Sequence, residues 1–265
     1  MRFKYSYLLI SLAMCIGCSL PVIAFSEEEK VALLGDSMTW IGGDDCEKST
    51  GWSYYLKETF PKSQISIYAR SGATWTNTAQ TKGDVNAYSD VLDNENVLYN
   101  QVRRLINDTA AHPEKTPTVI IVYAGANDAW FQKQRPGIFS DITVPEGSVE
   151  DCLPSSYTSL ASSIELDCRL LQEHFPDARL LLVTPVEMAP VTPDKVKRVG
   201  DVIEEIGKKQ GIEVLRADKN VNIRHAVERI KPRRYTYDGV HTNPAGARLI
   251  ANYIIDKLKY PQKQE

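Results

Sequence analysis

The chain has 265 residues, 43% of them hydrophobic and 25% charged, enough to bury a core of its own as one large domain or two small ones. That balance excludes a disordered chain. The formal net charge is -3 and the basic residues are scattered along the sequence, so there is no electrostatic footprint for a nucleic-acid partner.

Residues 1–24 read as a signal peptide. Arg2 and Lys4 supply a positive start, an apolar stretch follows, and Val22-Ile23-Ala24 forms a small-residue cleavage site. Two alternatives stay open: a retained membrane helix, which Pro21 and the cleavage site argue against, and lipidation at Cys18, since "CIGC" resembles a lipoprotein box with Cys15 where leucine is usual. The expectation is an exported protein, periplasmic or extracellular, with no stable membrane span after removal of the segment. Residues 25–265 then form the folded domain.

Short runs rich in Val, Ile and Leu alternate with segments of helical period along that domain. Strands are expected at 30–35, 64–69, 118–125, 179–185 and 212–217, each covered on both faces or nearly so. Helices are expected near 51–60, 96–111, 156–174, 193–210 and 243–259. Thr192-Pro193 and Asn243-Pro244 mark two of their starts, with proline just inside a capping residue. Strand then helix, repeated about five times, predicts a parallel sheet with helices on both faces. Residues 73–95 and 128–155 break the alternation. Both are long and polar and follow a strand's carboxyl end, where open α/β sheets bind ligands, so they are expected to wall a site.

Cys46, Cys152 and Cys168 remain in an oxidising compartment. A Cys46–Cys152 bridge is expected, with Cys168 a buried thiol on a helix face. No C-x-x-C or histidine cluster with metal spacing occurs.

The first strand ends on Gly35-Asp36-Ser37, where a serine hydroxyl would point into the crevice above the sheet. Asp238 and His241 lie three residues apart in "YDGVH", before the last helix. An imidazole activates a serine best when a carboxylate fixes its tautomer and stabilises its charged form, and this loop holds both parts. His112, His174 and His225 read as plain surface residues without such a partner. Ester attack also needs donors for the oxyanion. Gly72 in "RSGAT" could offer a backbone N–H and Asn127 in "YAGAND" a side-chain amide. All these signals fall at the same edge of the expected sheet.

These four blocks resemble those of the SGNH hydrolases, also called GDSL esterases and lipases: Ser37 in "GDSMT", Gly72 in "SGAT", Asn127 in "GAND" and His241 in "DGVH", with Asp238 as the acid of the last block. The order also matches, and Met38 stands where leucine is frequent. The resemblance implies a three-layer α/β/α sandwich with a five-stranded parallel sheet wound like flavodoxin. It also implies ester hydrolysis through an acyl-enzyme without metal or organic cofactor. Ser37 would be the nucleophile, His241 the base and Asp238 its orienting acid. The Ser37 and Gly72 N–H groups and the Asn127 amide would form the oxyanion hole.

Trp40, Trp75 and Trp130 each follow a catalytic block and are expected at the crevice mouth as substrate-binding residues, where aromatic faces stack on sugar rings or bury acyl chains. The insertions hold no long apolar run of the kind that forms a lipase lid. A small-molecule or saccharide ester is the expected partner, and deacetylation of a carbohydrate the expected reaction. A lipase or lysophospholipase, a thioesterase, an O-acyltransferase and a catalytically silent carbohydrate-binding protein stay open, because one fold serves many chemistries.

Overall fold

A computed structural model describes residues 25–26 and 28–260. The signal peptide and the Cys18 anchor expected from the sequence lie outside these residues. In chain order the elements are β1 (Lys30–Gly35), α1 (Ser37–Trp40), α2 (Trp52–Thr59), β2 (Gln64–Ile67), α3 (Leu98–Ala111), β3 (Val119–Tyr123), α4 (Ala126–Trp130), α5 (Leu160–His174), β4 (Arg179–Val183), α6 (Pro193–Lys209), β5 (Glu213–Leu215), α7 (Ala217–Asn220), α8 (His225–Glu228) and α9 (Pro244–Lys259).

All five strands pair in parallel, in the order β2-β1-β3-β4-β5. The inner strands β1 and β3 are buried almost throughout, as their unbroken runs of Val, Ile and Leu require. The edge strands are short and half-exposed. Helix contacts fall into two groups, α2 with α9, and α3, α5 and α6 in series, as expected for helices on opposite faces of the sheet. The fold is the α/β sandwich expected from the alternation.

Boundaries differ where local chemistry overrides periodicity. Helix α5 starts at Leu160 rather than near 156, because Ser159 and Ser162 form a reciprocal capping box and Pro154–Ser156 makes a separate 3-10 turn. Asn243 caps α9 as expected, its side chain accepting from the Ala245 and Gly246 N–H groups.

The Cys46–Cys152 bridge is not formed. Cys46 is buried next to α2, whereas Cys152 lies near α3 and α5, its Sγ 3.5 Å from the Tyr157 hydroxyl and its carbonyl accepting from Tyr99. The two belong to different helix groups. Cys168 is buried on α5, as expected.

The insertions are pinned by polar side chains rather than by secondary structure. The Asp128 carboxylate, fully buried, accepts the Trp75 and Thr76 N–H groups at 3.0 Å each and the Thr76 hydroxyl at 2.6 Å. Glu95 accepts the N–H groups of Lys82 and Asp84. The Asn96 amide bridges the carbonyls of Ser71 and Val91, which folds this loop back against Gly72.

Candidate active site

The order β2-β1-β3 makes the carboxyl ends of these strands a switch point, from which the chain leaves toward helices in both directions. Ser37, Gly72 and Asn127 follow β1, β2 and β3 respectively. Side-chain bonds knit the three turns together. Asp36 caps α1, with Oδ1 accepting the Met38 N–H at 3.0 Å and Oδ2 accepting the Ala126 N–H at 3.2 Å. Asn127 Nδ2 donates to the Ala73 carbonyl at 2.8 Å, and the Arg70 N–H donates to the Gly35 carbonyl at 3.1 Å. Each block thus holds its neighbour.

Beneath them the Gln101 amide reaches from α3 to the end of β1. Its Oε1 accepts the Gly35 N–H at 2.8 Å and its Nε2 donates to the Gly35 carbonyl at 2.9 Å. A buried side chain here acts as one more rung of a strand ladder.

Ser37 is 7% exposed and Asn127 equally so. Among the described residues neither the Ser37 nor the Gly72 backbone N–H has a hydrogen-bond partner. One hydrogen of the Asn127 amide is used by Ala73 and the other is left over, so three donors are available at this edge. Gly72 has φ +77, and a Cβ there would stand 2.4 Å from the Val91 carbonyl carbon, so only glycine fits the turn.

His241 and Asp238 sit in the loop between α8 and α9. His241 Nδ1 lies 2.7 Å from Asp238 Oδ2, and Asp238 Oδ1 accepts the N–H groups of Val240 at 2.9 Å and His241 at 2.8 Å. A carboxylate can only accept, so Nδ1 carries the shared proton and Nε2 presents a lone pair. Burial opposes ionisation of Asp238, but the bonds from His241 and the two backbone donors outweigh it and hold the carboxyl below its usual value.

The loop itself is anchored at several points. The buried Glu228 carboxylate accepts the N–H groups of Tyr235 and Thr236 and the Thr236 hydroxyl. The Ala189 N–H donates to the Gly239 carbonyl at 2.7 Å, and the Thr242 hydroxyl donates to the Thr50 carbonyl at 2.6 Å, in the segment between α1 and α2.

A cavity of about 480 Å³ opens beside this pair, lined by Trp130, Pro190, Val240, His241 and the arginines Arg229 and Arg233, among others. Trp130 is 39% exposed and stacks on Phe131 with ring centroids 5.2 Å apart. Of the other two tryptophans expected at the crevice mouth, Trp40 is half-buried at the end of α1 and does not line this cavity. Trp75 is corrected outright: it is 1% exposed and belongs to the core, and its backbone N–H donates to Asp128. Among the remaining histidines, His174 is exposed but pairs with Glu150 at 2.8 Å, a partner the sequence did not suggest. Among the described residues no group of three or more His, Cys, Asp or Glu side chains is placed to hold a metal ion. No helix among them is long and apolar enough to cross a membrane.

Reading the sequence alone passed over Asp36, Gln101 and Asp128. Asp36 stands inside the Gly-Asp-Ser block and Asp128 directly after Asn127, so their positions were visible and their bonds were not. Gln101 left no signal, being one polar residue in a helix.

The GDSL-like lipase/acylhydrolase family model matches residues 33–249. No curated protein sequence matches the chain. Among solved structures, a catalytic mutant of an acetylxylan esterase from Geobacillus stearothermophilus aligns with a TM-score of 0.56 and 17% identity, over 90% of this chain and 97% of that one. A protein from Lactobacillus plantarum gives 0.59 and 17%, over 90% and 100%. An α/β hydrolase enzyme from the metagenome of Lake Arreo gives 0.53 and 19%, over 90% and 99%. At these identities the solved structures share the fold. The chain belongs to the GDSL-like lipase/acylhydrolase family and is a serine hydrolase acting on ester bonds.

Proposed function

We propose that this chain is an exported esterase that removes acetyl or similarly small acyl groups from a carbohydrate, with Ser37 as nucleophile. His241 Nε2 takes the Ser37 proton as Oγ bonds to the ester carbonyl carbon, and the carbonyl π electrons move onto oxygen. The Ser37 and Gly72 N–H groups and the Asn127 amide receive that oxyanion, and fixed donors need no reorganisation as the charge develops. Collapse returns the electrons, breaks the bond to the alcohol oxygen, and His241 hands its proton to the departing alcohol. Water repeats the cycle on the acyl-enzyme and releases the acid. Asp238 stabilises the imidazolium at both stages.

The observations that support the proposal are the Asp238–His241 pair at 2.7 Å, on a loop tied to the segment after α1, and the three unused donors that follow β1, β2 and β3. The choice of a sugar ester is supported by Trp130 beside His241, by polar rather than apolar insertions, and by the fold shared with an acetylxylan esterase. Export is supported by residues 1–24 as a sequence pattern.

A substrate panel tests the proposal: acetylated oligosaccharides, 4-nitrophenyl esters from acetate to palmitate, and an acyl thioester, each with and without a sugar acceptor. The expected result is acetate release from the saccharides and short-chain esters, lost in Ser37→Ala. Preference for long chains or thioesters, or acyl transfer exceeding hydrolysis, would assign the chain elsewhere in the family.

A further inference from the structure

The cavity beside His241 carries charge that deacetylation of a neutral sugar does not use. Arg229 and Arg233 both line it. Among the described residues neither guanidinium has a carboxylate within ion-pair distance; Arg104, Arg135, Arg169, Arg198, Arg234 and Arg248 share that state, but only Arg229 and Arg233 line this cavity. The carboxylate that shares the cavity, Asp238, is engaged by two backbone N–H groups and by His241.

Arg233 is held in place for binding. Its Nε donates to the Glu228 carbonyl at 2.9 Å, and Glu228 is itself fixed by the N–H groups of Tyr235 and Thr236. The guanidinium lies over Gly239, whose φ is +98 and where a Cβ would come within 3.0 Å of Nε. Its two terminal nitrogens have no hydrogen-bond partner among the described residues. Such a planar fork, already oriented, matches a carboxylate in two-point geometry. Trp130, in the same cavity, stacks on Phe131 and is 39% exposed, which leaves part of its ring surface for a sugar.

We infer that the Arg229 and Arg233 side of this cavity binds a carboxylate on the alcohol portion of the ester, so that the preferred substrate is an acetylated sugar acid. This rests on the esterase reading above and narrows its substrate class. A sugar phosphate would present the same negative charge to the same fork, so the experiment carries it as a separate arm.

The experiment compares kcat/KM for an acetylated methyl glucuronide, the methyl ester of the same compound, and an acetylated hexose phosphate. Wild type is expected to favour the free acid over its methyl ester by about tenfold or more, the size of a hydrogen bond to a charged group. The difference should lie mainly in KM and shrink as salt is raised. Arg229→Gln and Arg233→Gln should each bring the ratio toward one, and Arg233→Lys should keep part of it. Arg229 is exposed, so its variant reads out charge recognition even if Arg233→Gln disturbs the loop. Equal rates on acid and methyl ester, or a ratio unchanged in both glutamine variants, would overturn the subsite while leaving the esterase in place. Preference for the phosphate would overturn the carboxylate assignment. Failure to cleave any ester, 4-nitrophenyl acetate included, would remove the esterase reading and the subsite with it.

Discussion

Asp238 grips His241 twice: Oδ2 lies 2.7 Å from Nδ1 of the ring while Oδ1 accepts the histidine's own backbone N–H at 2.8 Å. One carboxylate thereby sets both the position of the residue and the tautomer of its ring. Asp238→Asn keeps the shape but can offer an N–H where the ring needs an acceptor. We expect kcat to fall about 10²–10⁴-fold with KM little changed, as measured by steady-state kinetics on a short-chain ester. A fall confined to KM would mean that Asp238 serves binding alone.

The oxyanion donors differ in how they fail. Asn127→Ala removes one donor, and its expected cost is about 10²–10³ in kcat. Gly72→Ala forces a side chain into the Val91 backbone, so its loss of activity should come with a lower unfolding midpoint. Asn127→Ala also loses the bond to the Ala73 carbonyl, so kinetics and thermal unfolding are measured together, and the larger fall in midpoint is expected for Gly72→Ala.

Gln101 lies outside the catalytic set and is still expected to matter. Gln101→Leu leaves the buried Gly35 N–H without an acceptor, at a cost of about 1–3 kcal/mol. The disturbance falls two residues before Ser37, so kcat should drop along with stability. Gln101→Glu, which keeps the acceptor, should recover part of both.

Asp36 supplies a pH signature. Burial pushes its carboxyl up to about 6, against the pull of the Met38 and Ala126 N–H groups. The unfolded value is near 3.9, so the folded protein holds this proton more tightly. Its contribution to stability is therefore complete below pH 4 and is lost as the pH rises from about 4 to 6. The unfolding free energy of wild type minus that of Asp36→Asn should fall across this window by about 3 kcal/mol and stay level above pH 7. A difference that rises with pH would show that Asp36 is ionised throughout.

The parts of the molecule that could be read from sequence are those governed by local rules. Val, Ile and Leu runs located all five strands to within two or three residues, because inner parallel strands need apolar residues on both faces. Proline after a capping residue marked the starts of α6 and α9. Ser37, Gly72, Asn127, Asp238 and His241 stood out because each fell at a strand end or a loop before a helix. What could not be read depends on pairs distant in sequence. Trp75 is buried in the core, in a turn whose backbone N–H donates to Asp128, 53 residues away. Cys46 and Cys152 look alike in sequence, each in a polar loop, yet they pack beside different helices. Arg229 and Arg233 acquire their meaning only once the loop sets them around the same cavity as Trp130 and His241.

The central claim is that the Ser37 hydroxyl attacks and that His241 activates it. A fluorophosphonate ester reacts covalently with such a hydroxyl, and mass spectrometry of the digested protein locates the adduct. The account predicts one adduct per chain on Ser37, none in Ser37→Ala, and labelling at least a hundredfold slower in His241→Ala, on the order of the contribution of a general base. An adduct on another residue, or labelling that persists in Ser37→Ala, would contradict it.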